Sequence, residues 1–194
     1  ETHSITAALN PDGSISGKMR SQHADYDAYL MRQRFFDNPG DKYVESLERR
    51  YGGIAVSEFT VAHETDPGKP VTETFAFSEF HGAEKIGDKI YLSPLLFLAG
   101  KSNPFNQDKR EYPIDFTVVT QQKVNAVFAI PAGYAVESLP APANVEAEDK
   151  VCDFKYNIAQ SGNQLQLNYS MNVNESIVSA DYYQSLKAFF RAMI

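Results

Sequence analysis

Apolar and polar residues alternate one for one through residues 151–173. Cys152, Phe154, Tyr156 and Ile158 are separated by Asp153, Lys155 and Asn157. After Gln160-Ser161-Gly162-Asn163 the pattern resumes, with Leu165, Leu167, Tyr169, Met171 and Val173 separated by Gln166, Asn168, Ser170 and Asn172. A period of two sends successive side chains to opposite faces of a strand, so this stretch predicts an antiparallel hairpin with one dry and one wet face. Its turn is built of residues that tolerate positive φ.

The rest of the chain predicts more sheet and a few helices. Residues 4–9 and 14–21 flank Asn10-Pro11-Asp12-Gly13, a turn sequence in which Pro fixes φ and Gly frees it, and they form a second hairpin. From Ala24 the spacing changes: Tyr26, Tyr29, Leu30, Met31 and Phe35 recur every three or four residues and predict a helix over 24–37. A second helix follows, with Asn38 as its cap, Pro39 at its first helical position, Tyr43, Val44, Leu47 and Tyr51 on its apolar face, and Gly52-Gly53 at its end. Strands are expected at 54–62, 71–80, 83–86, 89–93, 114–121, 123–130 and 134–139. Residues 94–113, rich in X-Pro steps, are expected to be extended and irregular, and 140–150 to be loop. Tyr182, Tyr183, Leu186, Phe189, Phe190 and Met193 place an apolar stripe on a last helix over 180–194, capped by Ser179. The sum is an α+β protein dominated by antiparallel sheet, sandwich-like, with an early helical pair and a C-terminal amphipathic helix. It reads as one accessory domain over 1–194 with a soft midpoint at about 94–113.

Composition narrows this picture. The chain has 194 residues, enough to bury a core without staples, and its 13 Phe and 11 Tyr exclude a disordered chain. Net charge is −7, and the basic residues are scattered, which argues against nucleic acid and anionic membrane surfaces as partners. A single cysteine means no internal disulfide. The most apolar run, 91–99, is short and carries Ser93 and Pro94, so no membrane insertion is expected. The start at Glu1 reads as a processed or excised piece of a longer protein.

Reactive constellations are absent from the sequence pattern. Cys152 is the one possible thiol nucleophile, but it shares strand parity with Phe154, Tyr156 and Ile158 and so belongs to a core. His3, His23, His63 and His81 have no metal-ligand spacing, and an antiparallel pairing of 54–62 with 71–80 would hold His63 and His81 roughly 30 Å apart. Gly13-Ser14-Ile15-Ser16-Gly17 puts isoleucine where a hydrolase elbow needs serine. Asp25 with Asp27, and Glu146 with Glu148 and Asp149, are carboxylate groupings that read as solvated surface. Two acceptor patterns for glycosylation, at Asn168 and Asn174, are too short to weigh. Sugar-stacking platforms favour Trp, of which there is none; Phe97, Phe105 and Tyr112 are the aromatics whose exposure would matter. No catalytic, cofactor-binding or metal residue is assigned, and no cofactor.

One string is distinctive. Asn103-Pro104-Phe105, then Arg110, then Tyr112-Pro113-Ile114-Asp115-Phe116 is an Asx-Pro turn, a basic residue able to reach Asp115 or a backbone carbonyl, and a strand entry. Together with Ile130-Pro131 and Gly133-Tyr134 through Pro140, it resembles the C-terminal region of bacterial multidomain transglutaminase-like proteins. Asp12-Gly13, the helical pair and Tyr91-Leu92 with Pro94 extend the likeness toward the start of the chain. The resemblance implies a C-terminal domain of unassigned function, following a papain-like core that holds the family's Cys-His-Asp triad. It also implies a periplasmic or extracellular setting, with the transglutaminase-like core of the same polypeptide as partner. Cys152 does not match the helix-start setting of that family's nucleophile. The alternative is a free-standing envelope module that binds polysaccharide or protein.

Overall fold

The computed structural model describes residues 1–193. Chain order is β1 (Thr2–Leu9), β2 (Ile15–His23), α1 (Asp25–Asp37), α2 (Asp41–Arg50), β3 (Ala55–Ala62), β4 (Val71–Phe80), β5 (Ala83–Ile86) and β6 (Lys89–Leu92). There follow β7 (Ile114–Asp115), β8 (Thr120–Ala129), β9 (Ala143–Glu146), β10 (Cys152–Ser161), β11 (Gln164–Val173), β12 (Ile177–Val178) and α3 (Tyr183–Ala192).

Eight strands form one sheet in the order β3-β4-β2-β1-β8-β11-β10-β9. Every neighbouring pair is antiparallel except β1 with β8, which is parallel. The sheet is thus two antiparallel halves welded at a parallel seam. Strand parity puts the fully buried residues of its long strands on one face. Ile158, Leu167, Ala126, Ile5, Met19 and Phe75 form a continuous row across six strands, and all are buried. The other face carries Lys, Asn, Gln, Ser and Thr. It includes a row of three asparagines, Asn125, Asn168 and Asn157, beside Lys123, Ser170 and Lys155.

The dry face is covered by helices and irregular chain. Met31 of α1 and Tyr43 and Leu47 of α2 close over the β1–β4 half, while Leu186 and Phe189 of α3 pack with Phe154, Val173 and Phe105 on the other half. The α+β class and the mostly antiparallel sheet agree with the sequence reading. Outside the eight-stranded sheet, the strands among the described residues form the two-stranded ribbons β5–β6 and β7–β12. Among the described residues no helix is long and apolar enough to cross a membrane.

Local departures from the expected elements have physical reasons. On α1, Tyr26 and Tyr29 turn outward and stack on each other at 5.9 Å, so its buried contact narrows to Ala28 and Met31. Gly40, at φ 66°, occupies the N-cap position of α2 instead of Asn38; Asn38 Nδ2 donates back to the Arg34 carbonyl at 3.5 Å. In 94–113 a 3-10 turn at Leu96–Leu98 buries Leu96 and sets Phe97 against Tyr51, Phe77 and Phe80. The expected strand at 114–121 is only the two-residue bridge β7, since Thr117 adopts φ 70°, and β8 runs unbroken through 120–129. Residues 134–139 take no regular secondary structure, whereas 143–146, expected as loop, is the edge strand β9. Ser179 does cap, its Oγ accepting from Asp181 N at 3.3 Å. Residues 180–182 form a 3-10 turn ahead of α3, and position 194 of the expected helix lies outside the described residues.

Candidate functional site: a buried polar row at the sheet seam

One row below the apolar row, the dry face turns polar. His3 pairs with Ser21, and Ser21 with Glu73, where their strand neighbours carry Ile5, Met19 and Phe75. His3 is 2 % exposed, Ser21 0 % and Glu73 1 %, so a histidine, a hydroxyl and a carboxyl are sealed in the core. Buried polar groups must find partners, and here they find one another, save that His3 Nε2 and His23 Nε2 face carboxylates without a hydrogen bond.

The β1–β2 register, with Thr2 opposite Gln22, brings Glu1 beside His23. His23 ends β2, and Asp27 in the first turn of α1 returns four residues later to its ring. His23 Nδ1 meets Asp27 Oδ2 at 2.7 Å and lies 3.6 Å from Glu1 Oε2. On the far side of the ring, Nε2 faces Glu73 Oε1 at 3.6 Å. Glu73 Oε2 in turn accepts from the Tyr43 hydroxyl at 2.9 Å. His3 shares a hydrogen bond of 2.9 Å between Nδ1 and Ser21 Oγ, and its Nε2 faces Glu1 Oε1 at 3.4 Å. That same Oε1 accepts from Gln122 Nε2 at 3.0 Å, and Glu1 and Gln121–Lys123 exchange main-chain hydrogen bonds, so both halves of the sheet meet at Glu1.

The electrostatics follow from this enclosure. Burial disfavours a charged imidazole, but the hydrogen bond to Asp27 and the nearby carboxylates of Asp27 and Glu73 outweigh it and raise the His23 pKa to about 9. Burial likewise opposes ionisation of Glu1. The imidazole of His3 and then the charge of His23 more than offset that, holding the Glu1 carboxyl at about 2. Burial first, then the Glu73 charge, pushes the Tyr43 hydroxyl well above the usual phenol range. The ligand atoms of Glu1, His23 and Asp27 all lie within 4.8 Å of one another. This is the one grouping of metal-ligand type among the described residues.

Other residues singled out by the sequence are placed elsewhere. Cys152 is fully buried among Phe154, Val173, Leu186 and Phe189, and burial with the neighbouring Asp153 charge pushes its thiol up to about 11. His63 and His81 are exposed, beyond opposite ends of the β3–β4 hairpin. Asp25 is exposed and does not join Asp27. Glu146 pairs with Lys150 at 3.5 Å and Asp149 accepts from Tyr182 at 2.7 Å, both at the surface. The string 103–116 is a clasp for α3. Asn103 Oδ1 accepts from Phe105 N at 2.9 Å while its Nδ2 donates to the Lys187 carbonyl at 2.8 Å. Phe105 packs against Tyr183, Phe190 and Phe116. Arg110 takes the backbone alternative, donating to the carbonyls of Tyr112 and Pro113 rather than to Asp115, whose Oδ1 accepts from Thr117 N. Pro104, Pro113 and Tyr112 are exposed.

Sequence reasoning missed Glu1, His3, His23, Tyr43 and Glu73 as a unit. A signal for part of it was present: Glu73 shares parity with Val71, Phe75 and Phe77, and His3 with Ile5 and Ala7, so each is a polar residue on a core face. Which strands would lie side by side was not written in any local pattern.

Among curated proteins and among solved structures, no match to the chain was found. Residues 88–194, from β6 through α3, match the family described as a Domain of Unknown Function (DUF3858). The match takes in more than half of the 194 residues, and the chain belongs to that family.

Proposed function

We propose that this chain is a non-catalytic accessory domain that packs on the catalytic core of a transglutaminase-like or cysteine-protease-like envelope protein. The observation that carries the reading is the enclosure of Cys152. A nucleophilic thiol needs access and a neighbouring base or cation, whereas this one is fully buried in an aromatic core with its pKa moved up to about 11. Membership of a family of unknown function and the strings at 103–116 and 130–140 support the accessory role. So does a groove of about 650 Å³ between the β5–β6 ribbon and residues 130–140, lined by Ile90, Leu92, Ile130, Tyr134 and Val136. It is the surface we assign to the core.

The rival, a free-standing module for polysaccharide or protein, loses its best platform. Phe105 is buried and Phe97 packs into the core, which leaves Tyr112, at 76 % exposure, without aromatic company. The test is an amidase and transglutaminase assay of the purified chain. No turnover is expected; turnover abolished by Cys152→Ala would defeat the reading.

A further inference from the structure

We propose that Glu1, His23 and Asp27 form a binding site for a divalent transition metal of zinc type. The ligand atoms are His23 Nδ1, Asp27 Oδ2 and Glu1 Oε2. The site is independent of the accessory role argued above, and all three ligands precede the family match at 88–194.

Two features distinguish this cluster from a chance gathering of charges. The first lies behind the imidazole. A histidine that ligates a metal through one nitrogen characteristically directs the other toward a carboxylate, which fixes the tautomer and aims the lone pair. His23 Nε2 faces Glu73 Oε1 at 3.6 Å, and Glu73 is itself held by the Tyr43 hydroxyl at 2.9 Å. Nδ1 is thereby turned outward to Glu1 and Asp27. The second is that Glu1 is oriented too. Gln122 Nε2 binds Oε1 at 3.0 Å and His3 Nε2 approaches that oxygen at 3.4 Å, which leaves Oε2 toward His23.

The donor set selects the ion class. One imidazole and two carboxylates at a rim suit zinc, which takes nitrogen and oxygen at about 2.0–2.2 Å in tetrahedral geometry. Calcium and magnesium need more oxygens than the cluster offers. Separations of 2.7 and 3.6 Å from His23 Nδ1 to the two carboxylates bracket the spacing of about 3.3 Å that tetrahedral ligation at those lengths implies. Glu1 and Asp27 side chains are 29 % and 32 % exposed, so an ion enters from solvent and keeps one position for water.

The test titrates chelator-stripped protein with Zn²⁺, Mg²⁺ and Ca²⁺ by calorimetry, using wild type, Asp27→Asn, the Glu1→Gln/Asp27→Asn pair and Glu73→Gln. One saturable zinc per chain is expected, with no comparable heat from magnesium or calcium. Asp27→Asn and Glu73→Gln should each weaken zinc about 10- to 100-fold, and the double variant should abolish the saturable phase. Circular dichroism confirms that each variant is folded. Should one fail to fold, an anomalous-scattering peak between His23 Nδ1 and Asp27 in zinc-soaked wild-type crystals answers in its place. The proposal is overturned by the absence of saturable zinc binding, by binding that the folded double variant retains, or by an anomalous peak elsewhere.

Discussion

Cys152 and Glu73 hold equivalent positions, each facing inward from a long strand with apolar residues of the same parity. The thiol costs nothing to bury as a neutral group, and burial with the Asp153 charge raises its pKa from 9.0 to about 11. A raised folded-state pKa gives stability that is complete below the unfolded value and lost as pH climbs through the folded one. Between pH 9 and pH 11 the Cys152 contribution, about 3 kcal/mol, should therefore disappear. Urea unfolding of wild type against Cys152→Ala across that range checks it: the alanine variant starts less stable and should lose less with rising pH. Glu73 is the opposite case, a carboxyl held inside by Tyr43 and His23. Its inward parity could be seen in the chain, as that of Cys152 was. Its partners could not, because they sit 30 and 50 residues away and the register that joins them is a property of the sheet.

The elements show where local pattern suffices. Both hairpins, the early helices and the last helix were legible from period and turn chemistry, since the forces that shape them act within a few residues. Residues 134–139 read as a strand, yet no ladder partner reaches them, and they wall a groove instead. Alternation reports a preference for extended backbone, never the presence of a neighbour. Nor does it report bulges. Between Ser57 and Thr60 the β3–β4 register shifts, Glu58 adopts φ 52°, and Phe59 is turned onto Phe35 and Tyr43. Close approach is equally hidden. Leu165, Phe128, Ala7, Gly17 and Phe77 form one row across the sheet, with the two smallest residues between phenylalanines. A Cβ on Gly17 would lie 2.8 Å from Ala7 Cα and nearer still to the Thr6 carbonyl oxygen. Gly17→Ala should cost about 1–3 kcal/mol in chemical denaturation, as overpacking does, whereas Gly162→Ala meets open space and should cost only the strain of its φ of 58°.

At the scale of the whole molecule, the parallel pairing of β1 with β8 makes one body of two sheets. Phe128 stands at that seam, 1 % exposed and opposite both Ala7 and Leu165. Phe128→Ala should cost about 3–5 kcal/mol. Hydrogen exchange should show protection falling in β2 and in β11 together, within a single unfolding transition; loss confined to the β8–β11 half would mean that the halves unfold separately.

The same seam shapes the birth of the protein. On the ribosome the β1–β2 hairpin is complete once residue 23 has emerged, yet the flank of β1 that will receive β8 stays open until nearly a hundred more residues have been added, on the order of 5–20 s at ordinary synthesis rates. During that wait a row of unsatisfied amides and carbonyls is offered to any extended neighbour. Nascent copies crowded on one message are therefore at greatest risk of strand exchange before residue 129 emerges.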